Sequence, residues 1–539
     1  MKRLYIIFIS FVLLGGCAQV ILPTGGPKDI TPPKVLSYSP ENKSTLTHPR
    51  KIDITFNEYI QLKDLQKQFI VSPPLRTMPV PIVKGRVLEV PLLKDTLQEN
   101  TTYTFNFGNA IGDLNEGNAI KNFQYVFSTG SYVDSLSVHG TALDAFTHSP
   151  IQDGLVLLYS DLGDSTPYKK LPSYCGQTDD NGNYRIDNIK AGTYKLIALS
   201  KGSGDYFYHP YSQTVGFKSG SLSLVRNDTD NFFLFLEEQP KLQFSKARAI
   251  GKGQILLIFN KPVDSIEIKP INISDSFAYN TLFQYSATHD SLTYWINYPN
   301  LDSLRFIISY HNKPLDTAIV YNMPGHITKK SKKNEKPPAT QVTLNISDRT
   351  PYDYHKPFSI QFASPVTKFD LSKITFIQRK DTIKLKPVGK SAFNLSLTPN
   401  KDLISDSAYR ITILPGAFTD FFGYINDTIN VKFKIQEQTY FGTLKLNVTF
   451  SKNAHYLVQL LDNQSNVYRQ DTVNKTASIF YDGLPPAFYG IRVIEDYNKN
   501  GKWDGGNYLK GIQPEKIYYY SDKLNIRSNW DLSQDWKVN

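Results

Sequence analysis

Near the C-terminus the chain reads IEDYNKNGKWDGGN over residues 494–507. Side-chain oxygens recur there at alternate positions, Asp496, Asn498 and Asn500, and Asp504 follows. In a calcium-wrapping loop, oxygen ligands stand first, third and fifth, and a glycine in sixth place makes the sharp turn. The seventh residue offers a backbone carbonyl, and the ninth acts through water. Asp496, Asn498, Asn500, Gly501, Lys502 and Asp504 occupy those places in order. The twelfth, Asn507, is not the bidentate Glu of a tight site. Hard oxygen donors suit calcium and not zinc. Two carboxylates set the expected affinity at about 10⁻⁴–10⁻³ M. Such an ion braces a loop and performs no catalysis. An Asn/Gly-rich turn closed by side-chain-to-backbone hydrogen bonds explains the same residues.

Other chemistry is sparse. The nine histidines are scattered, and none forms an HExxH pair. There is no Gly-x-Ser-x-Gly elbow, and the glycines of PTGGPKD lack the strand and helix of a phosphate cradle. Cys175, in LPSYCGQTDDNGNY, has no nearby histidine to act as its base. Asp113 and Glu116 suggest an acid/base pair, but a polar turn between strands accounts for them. Paired carboxylates brought together from distant loops keep a hydrolase with an unrecognised site as an alternative. The expectation is a protein that is not an enzyme and requires no cofactor, with structural calcium as the one candidate ion.

The N-terminus carries an address. MKRLYIIFISFVLLGGC has a basic start, an apolar run too short to span a bilayer comfortably, and small residues before Cys17. Leu14-Gly15-Gly16-Cys17 has the form of a lipobox, in which the cysteine is acylated and becomes the mature N-terminus; a plain secretory signal is the alternative. Ala18, in place of Asp, favours the outer membrane. CAQVILP lacks the acidic run that marks surface export, so the periplasmic and surface faces both stay open. With Cys17 acylated, Cys175 has no disulfide partner. The expected location is the outer membrane, with the lipid bilayer itself as a partner through Cys17.

A further pattern is Asp-Ser/Thr-apolar, with hydroxyls at Thr96, Ser135, Ser291, Ser303, Thr382, Ser407, Thr428 and Thr472. It resembles an O-glycosylation motif of exported proteins; turns leading into strands produce the same tripeptides.

The elements that carry these residues are strands. Aromatics reach 13%, with 34 Tyr and 32 Phe, in short Tyr/Ile/Val/Thr runs. IDITFNEYI (52–60), ILLIFNKPV (255–263) and FSIQFASPV (358–366) are alternating strands that each end in a polar break. TTYTFNFGNAIGDLNEGN (101–118) parallels SAYRITILPGAFTDFFGYIN (407–426). TDDNGNYRIDNIKAGTYKLIAL (178–199) parallels IFYDGLPPAFYGIRVIED (479–496). Recurrence at this spacing predicts serial β-sandwiches. YIQLKDLQKQF (59–69) is the best helix candidate. HITKKSKKNEKPPAT (326–340) reads as a solvated linker that contributes much of the net charge of +11. A polybasic patch is its alternative, but no aromatic residue interleaves the lysines for nucleic acid. No nucleic-acid partner is expected.

PTGGPKDITPP, ITFNEYI, TTYTFNFGNAIGDLNEGN and YVFSTG together resemble a family of Bacteroidota lipoproteins that open with a bacterial Ig-like domain of the SbsA type. TDDNGNYRIDNIKAGTYKLIAL resembles the core of a carboxypeptidase-regulatory or Cna-B-type, transthyretin-like domain, and DYNKNGKWDGGNY with QPEKIYYY and NIRSNWDL is similar to that family's ending. The resemblance is thinnest over 238–325. It implies an all-β chain of serial Ig-like and transthyretin-like β-sandwich domains: signal peptide 1–17, tether 18–31, an SbsA-type Ig-like domain 32–131, a Cna-B-like domain 132–237, an Ig-like sandwich 238–325, linker 326–340, an Ig-like domain 341–436 and a transthyretin-like domain 437–539. It implies no catalysis. The expected role is a structural or interaction subunit of an envelope or outer-membrane barrel complex, with outer-membrane or envelope proteins as partners; a glycan-binding or adhesive surface protein is the alternative.

Overall fold

The computed structural model describes residues 28–92, 97–202, 205–273, 280–297, 303–321, 339–405 and 407–538. Cys17, Thr96 and residues 326–338 of the expected linker lie outside the described residues. The protein is nearly all β, 51% strand against 3% helix, arranged as serial sandwiches. Among the described residues no helix is long and apolar enough to cross a membrane. The chain divides into two compact units: Met1–Leu236 with Tyr508–Ile512, and Glu237–Asn507 with Gln513–Asn539.

The first unit opens with a sandwich whose four-stranded sheet runs Val35–Ser39, Lys51–Phe56, Val87–Pro91, Ile82–Lys84 in lateral order. A second sheet holds Ile70–Ser72, Thr102–Gly108 and Phe123–Ser128. Alternation drives this. KIDITF buries Ile52, Ile54 and Phe56 and leaves the residues between them toward solvent. Those three pack with Leu88, Val90, Phe105 and Phe127 from the two sheets into one core. A different sandwich follows. Leu136–Asp144 pairs antiparallel with Asn183–Ile189 and parallel with Asp228–Thr229 and Phe232–Leu234. Its other sheet orders Tyr174–Gln177, Leu155–Tyr159, Gly192–Leu199 and Val215–Phe217. The two sandwiches are stitched together: the Cys175 amide donates to Ser72 Oγ at 3.0 Å, its Sγ to the Val71 carbonyl at 3.3 Å, and Asn188 Nδ2 to Thr104 Oγ1 at 2.8 Å.

The second unit repeats both designs. Phe244–Gly251, Gln254–Phe259, Ser291–Asn297 and Asn280–Tyr285 form one sheet, and Ile266–Pro270, Ser303–Tyr310 and Lys313–Tyr321 another. Val342–Leu344, Phe358–Phe362, Asn394–Pro399 and Leu385–Lys390 adopt the first sheet's order again, with Asp381–Ile383, Ile374–Gln378, Ala408–Ile413 and Ile429–Lys434 opposite. The last sandwich pairs Gly442–Phe450 antiparallel with Ala477–Leu484 and parallel with Asp531–Val538. This reproduces the arrangement around Leu136–Asp144. Its facing sheet orders Val467–Val473, Tyr456–Leu461, Ala487–Glu495 and Ile517–Tyr519.

The helix expected over 59–69 contracts to one turn, Leu65–Gln68. Ile60–Leu62 is instead a strand paired with Ile111–Asp113, and Asp64 turns left-handed at φ 50°. Strand pairing buries Ile60, which a lone short helix there would not do.

Candidate functional site

Strand Ala487–Glu495 delivers Asp496 into a loop that returns to the sheet at Ile517–Tyr519. Asp496 is 1% exposed. Its Oδ1 accepts from the Asn500 amide at 3.1 Å and its Oδ2 from the Gly501 amide at 2.9 Å. Gly501 has φ +78° and Lys499 φ 60°, and the glycine takes the left-handed turn without strain. The Asn500 amide also reaches Asn498 Oδ1 at 3.0 Å, and the Lys502 amide reaches Asn500 Oδ1 at 3.0 Å. Asn498 Nδ2 and Asn500 Nδ2 converge on Asp504 Oδ2 at 2.6 and 2.5 Å. The Lys502 ammonium lies 3.8 Å from Asp504 Oδ1. All five residues singled out in the sequence are therefore brought together.

Two further residues complete the loop. Glu515 is buried; its Oε1 accepts from the Tyr497 amide at 2.7 Å and its Oε2 from the Asp504 amide at 2.9 Å. Burial raises its carboxyl above the ordinary glutamate value, and the nearby Asp504 and Asp496 charges push the same way against the two amide bonds. His455 Nδ1 lies 3.2 Å from Asp496 Oδ2. Sequence reasoning missed both, since each reaches the loop across the sheet. The signal for Glu515 was its place just before the apolar run IYYY. Among the described residues no group of three or more His, Cys, Asp or Glu is placed to hold a metal ion. As it stands, the loop closes on its own amides.

The same device recurs in simpler form. Asp179 Oδ1 accepts from the Asn181 and Asn183 amides at 2.9 and 2.8 Å, and Asp462 Oδ1 from the Gln464 and Asn466 amides at 2.8 and 2.9 Å. Asp113 takes three amides, from Glu116, Gly117 and Asn118, at 2.6, 3.0 and 2.6 Å. Burial works to raise its carboxyl, and those three donors outweigh burial and hold it below the ordinary range. Asp113 thus anchors a turn with the backbone of Glu116. Cys175 is buried, and burial pushes its thiol up to about 12, far from a nucleophile's range.

The hydroxyls of the Asp-Ser/Thr pattern fall in unlike settings. Ser135, Thr382, Thr428 and Thr472 are exposed, and Ser291 and Ser303 are half-buried. Ser407 is buried and accepts from Gln378 Nε2 at 3.2 Å.

Residues 29–129 match the family model of a bacterial Ig-like domain. No curated protein matches the chain. Among solved structures the chain is similar to the major pilin subunit of Bacillus cereus, at 9% identity and a TM-score of 0.14, covering 75% of this chain and 99% of the pilin. It is similar to the S-layer protein rSbsC at 13% identity and a TM-score of 0.14, covering 92% and 67%. It is also similar to FdeC, an Escherichia coli adhesin, at 8% identity and a TM-score of 0.13, covering 63% and 93%. At those TM-scores the superpositions carry no argument about function.

Proposed function

We propose that this protein is a non-enzymatic structural or interaction subunit of the cell envelope, lipid-anchored to the outer membrane through Cys17, whose sandwiches present loops and sheet faces to an envelope or outer-membrane protein. The observation that carries the reading is the reuse of two sandwich designs along the chain, with the Asp113 and Asp496 carboxylates closing turns. The Ig-like match over 29–129 agrees with it. The lipobox form of Leu14-Gly15-Gly16-Cys17 supports the anchor. Several acyl chains, at about 0.8 kcal/mol per buried methylene, hold even a large soluble chain on a bilayer. In this reading the Asp496 loop is a structural brace that takes calcium with modest affinity.

The test is affinity purification of the full chain from detergent-solubilised membranes of the producing cell, beside Cys17→Ser. A stoichiometric envelope protein should co-purify with the wild type, and Cys17→Ser should leave the membrane fraction or retain its signal. Recovery of the chain alone overturns the interaction reading. Normal processing and membrane retention of Cys17→Ser overturns the anchor.

A further inference from the structure

The sheet formed by Ile374–Gln378, Ala408–Ile413 and Ile429–Lys434 turns Phe376, Tyr409, Ile411 and Phe433 into its core. Alternation sends the residues between them outward. On that outer face Ile377 stands opposite Arg410, and Arg410 opposite Lys432. One step along, the Arg379 amide donates to the Ala408 carbonyl at 3.2 Å, and Ala408 stands opposite Lys434. The 347–352 segment walls one side. Its Ser347 and Thr350 hydroxyls lie 3.0 Å apart, and the Tyr352 amide donates to the Lys434 carbonyl at 2.8 Å. The result is a half-open cleft of about 600 Å³ lined by five cations, Arg349, Arg379, Arg410, Lys432 and Lys434, and by one carboxylate, Asp348.

Like charges directly opposite each other weaken a sheet. Arg410 and Lys432 are such a pair, and among the described residues none of the five cations meets a carboxylate. The fold does not require this. In the first sandwich the corresponding outward rows are Ile70, Asn106 and Gln124, then Ser72 and Thr104. That face is neutral and covered by Cys175 and Gly176 of the next sandwich. The 341–436 sandwich keeps the same strand arrangement but leaves Arg379, Arg410, Lys432 and Lys434 exposed.

We propose that this cleft is a binding site for a multiply charged oxyanion, a phosphate or sulfate group borne by a soluble sugar or by a lipid headgroup. Arginine's planar fork bonds two oxygens of such a group at once, and lysine adds a mobile point charge. Ile377 and Ala408 floor the cleft and accept the apolar face of a sugar or glycerol. Its volume falls in the range of about 300–1,000 Å³ typical of small-ligand sites. This site is separate from the Asp496 loop and does not depend on the interaction-subunit reading.

The test is calorimetry on the full chain with pyrophosphate and fructose bisphosphate, fructose as the neutral control, and co-sedimentation with vesicles of phosphatidylcholine alone or mixed equally with phosphatidylglycerol. The wild type should bind the bisphosphate and not fructose. Arg410→Glu and Lys432→Glu should each weaken it by about tenfold or more, the loss of one charge-assisted contact. Arg410→Gln should fall between them and the wild type. Lys190→Glu, an equal charge change in the other unit, should bind as the wild type does. Vesicle binding with the same dependence on Arg410 and Lys432, in the absence of sugar binding, assigns the source to a lipid headgroup. No anion binding, or binding indifferent to Arg410 and Lys432 with the variants melting as the wild type does, overturns the proposal.

Discussion

Asp496→Ala separates the two explanations of the DYNKNGKWD loop. The carboxylate is 1% exposed and accepts the amides of Asn500 and Gly501. Hydrogen bonds to a charged acceptor contribute about 1.5–3 kcal/mol each. Asn500 and Gly501 are exposed, so water recovers part of that on loss of the acceptor. Removing a buried carboxylate also relieves its own desolvation. The net cost should be about 1–2 kcal/mol, comparable to deleting a helix N-cap. Hydrogen exchange of the 496–504 peptide in the full chain reads this locally, and protection of the two amides should fall by about tenfold, since 1.4 kcal/mol is one decade. Unchanged exchange would refute the turn-closing role itself. The calcium arm uses the same readout. At ten times its Kd a ligand adds about 1.4 kcal/mol, so about 10 mM calcium, at least ten times the expected Kd, should raise protection in the wild type by about tenfold or more and leave Asp496→Ala unmoved. Absence of any rise in the wild type reduces the loop to a turn and removes calcium from the reading.

Three further outcomes are expected. Cys175, its thiol pushed up to about 12 by burial, should resist thiol reagents until the first unit opens; labelling of the native chain as fast as that of a urea-unfolded control would refute the buried joint with Ser72. Asp113 is held below the ordinary carboxyl range, so its contribution is complete above the unfolded-chain value of about 4 and is lost as pH falls through the lower folded value. Asp113→Asn should therefore flatten the acid limb of the melting-temperature profile and leave its neutral limb parallel to wild type; an unchanged acid limb counts against the assignment. Phe105→Ala, in a fully buried site packed against Phe127, should cost about 3–5 kcal/mol in denaturant unfolding of the first unit, and a loss under 1 kcal/mol would contradict that core.

Strands were the most legible part of the sequence because their burial period is local. KIDITF, QILLIF and FSIQF each alternate in the chain as they do in the fold, burying every second residue. The paired repeats were legible for the same reason: Asn183–Ile189 with Gly192–Leu199, and Ala477–Leu484 with Ala487–Glu495, are matching strands joined by two residues, Lys190-Ala191 in one and Pro485-Pro486 in the other. Partner choice was not legible. Leu136–Asp144 finds its parallel partners at Asp228–Thr229 and Phe232–Leu234, and no local pattern encodes a pairing across most of a domain. The 59–69 helix failed through the opposite error. Leu62, Leu65 and Phe69 repeat at a helical spacing, but Ile60 and Leu62 have a strand at Ile111–Asp113 to pair with, and tertiary pairing outweighs weak helical propensity.

Side chains that work as a group are legible only when one loop holds them. Asp496, Asn498, Asn500, Lys502 and Asp504 are such a set, and the structure gathers them through hydrogen bonds within the loop. Glu515 and His455 belong to the same cluster and stayed hidden because strands return them to it. The basic cleft is the extreme case: Arg349, Arg379, Arg410 and Lys432 come from four separate segments, and each alone reads as an ordinary solvated charge on a strand or turn. What distinguishes them is register. A cation opposite a cation, over an apolar floor, on a face that the first sandwich keeps neutral and covered, opposes the fold's own electrostatics. Where the first sandwich sets like charges opposite each other, at Asp53 and Glu89, Lys51 reaches both carboxylates and Lys84 bonds Glu89. A like-charged pair that no carboxylate among the described residues neutralises, on an exposed sheet face, is therefore where a ligand is best sought in this chain.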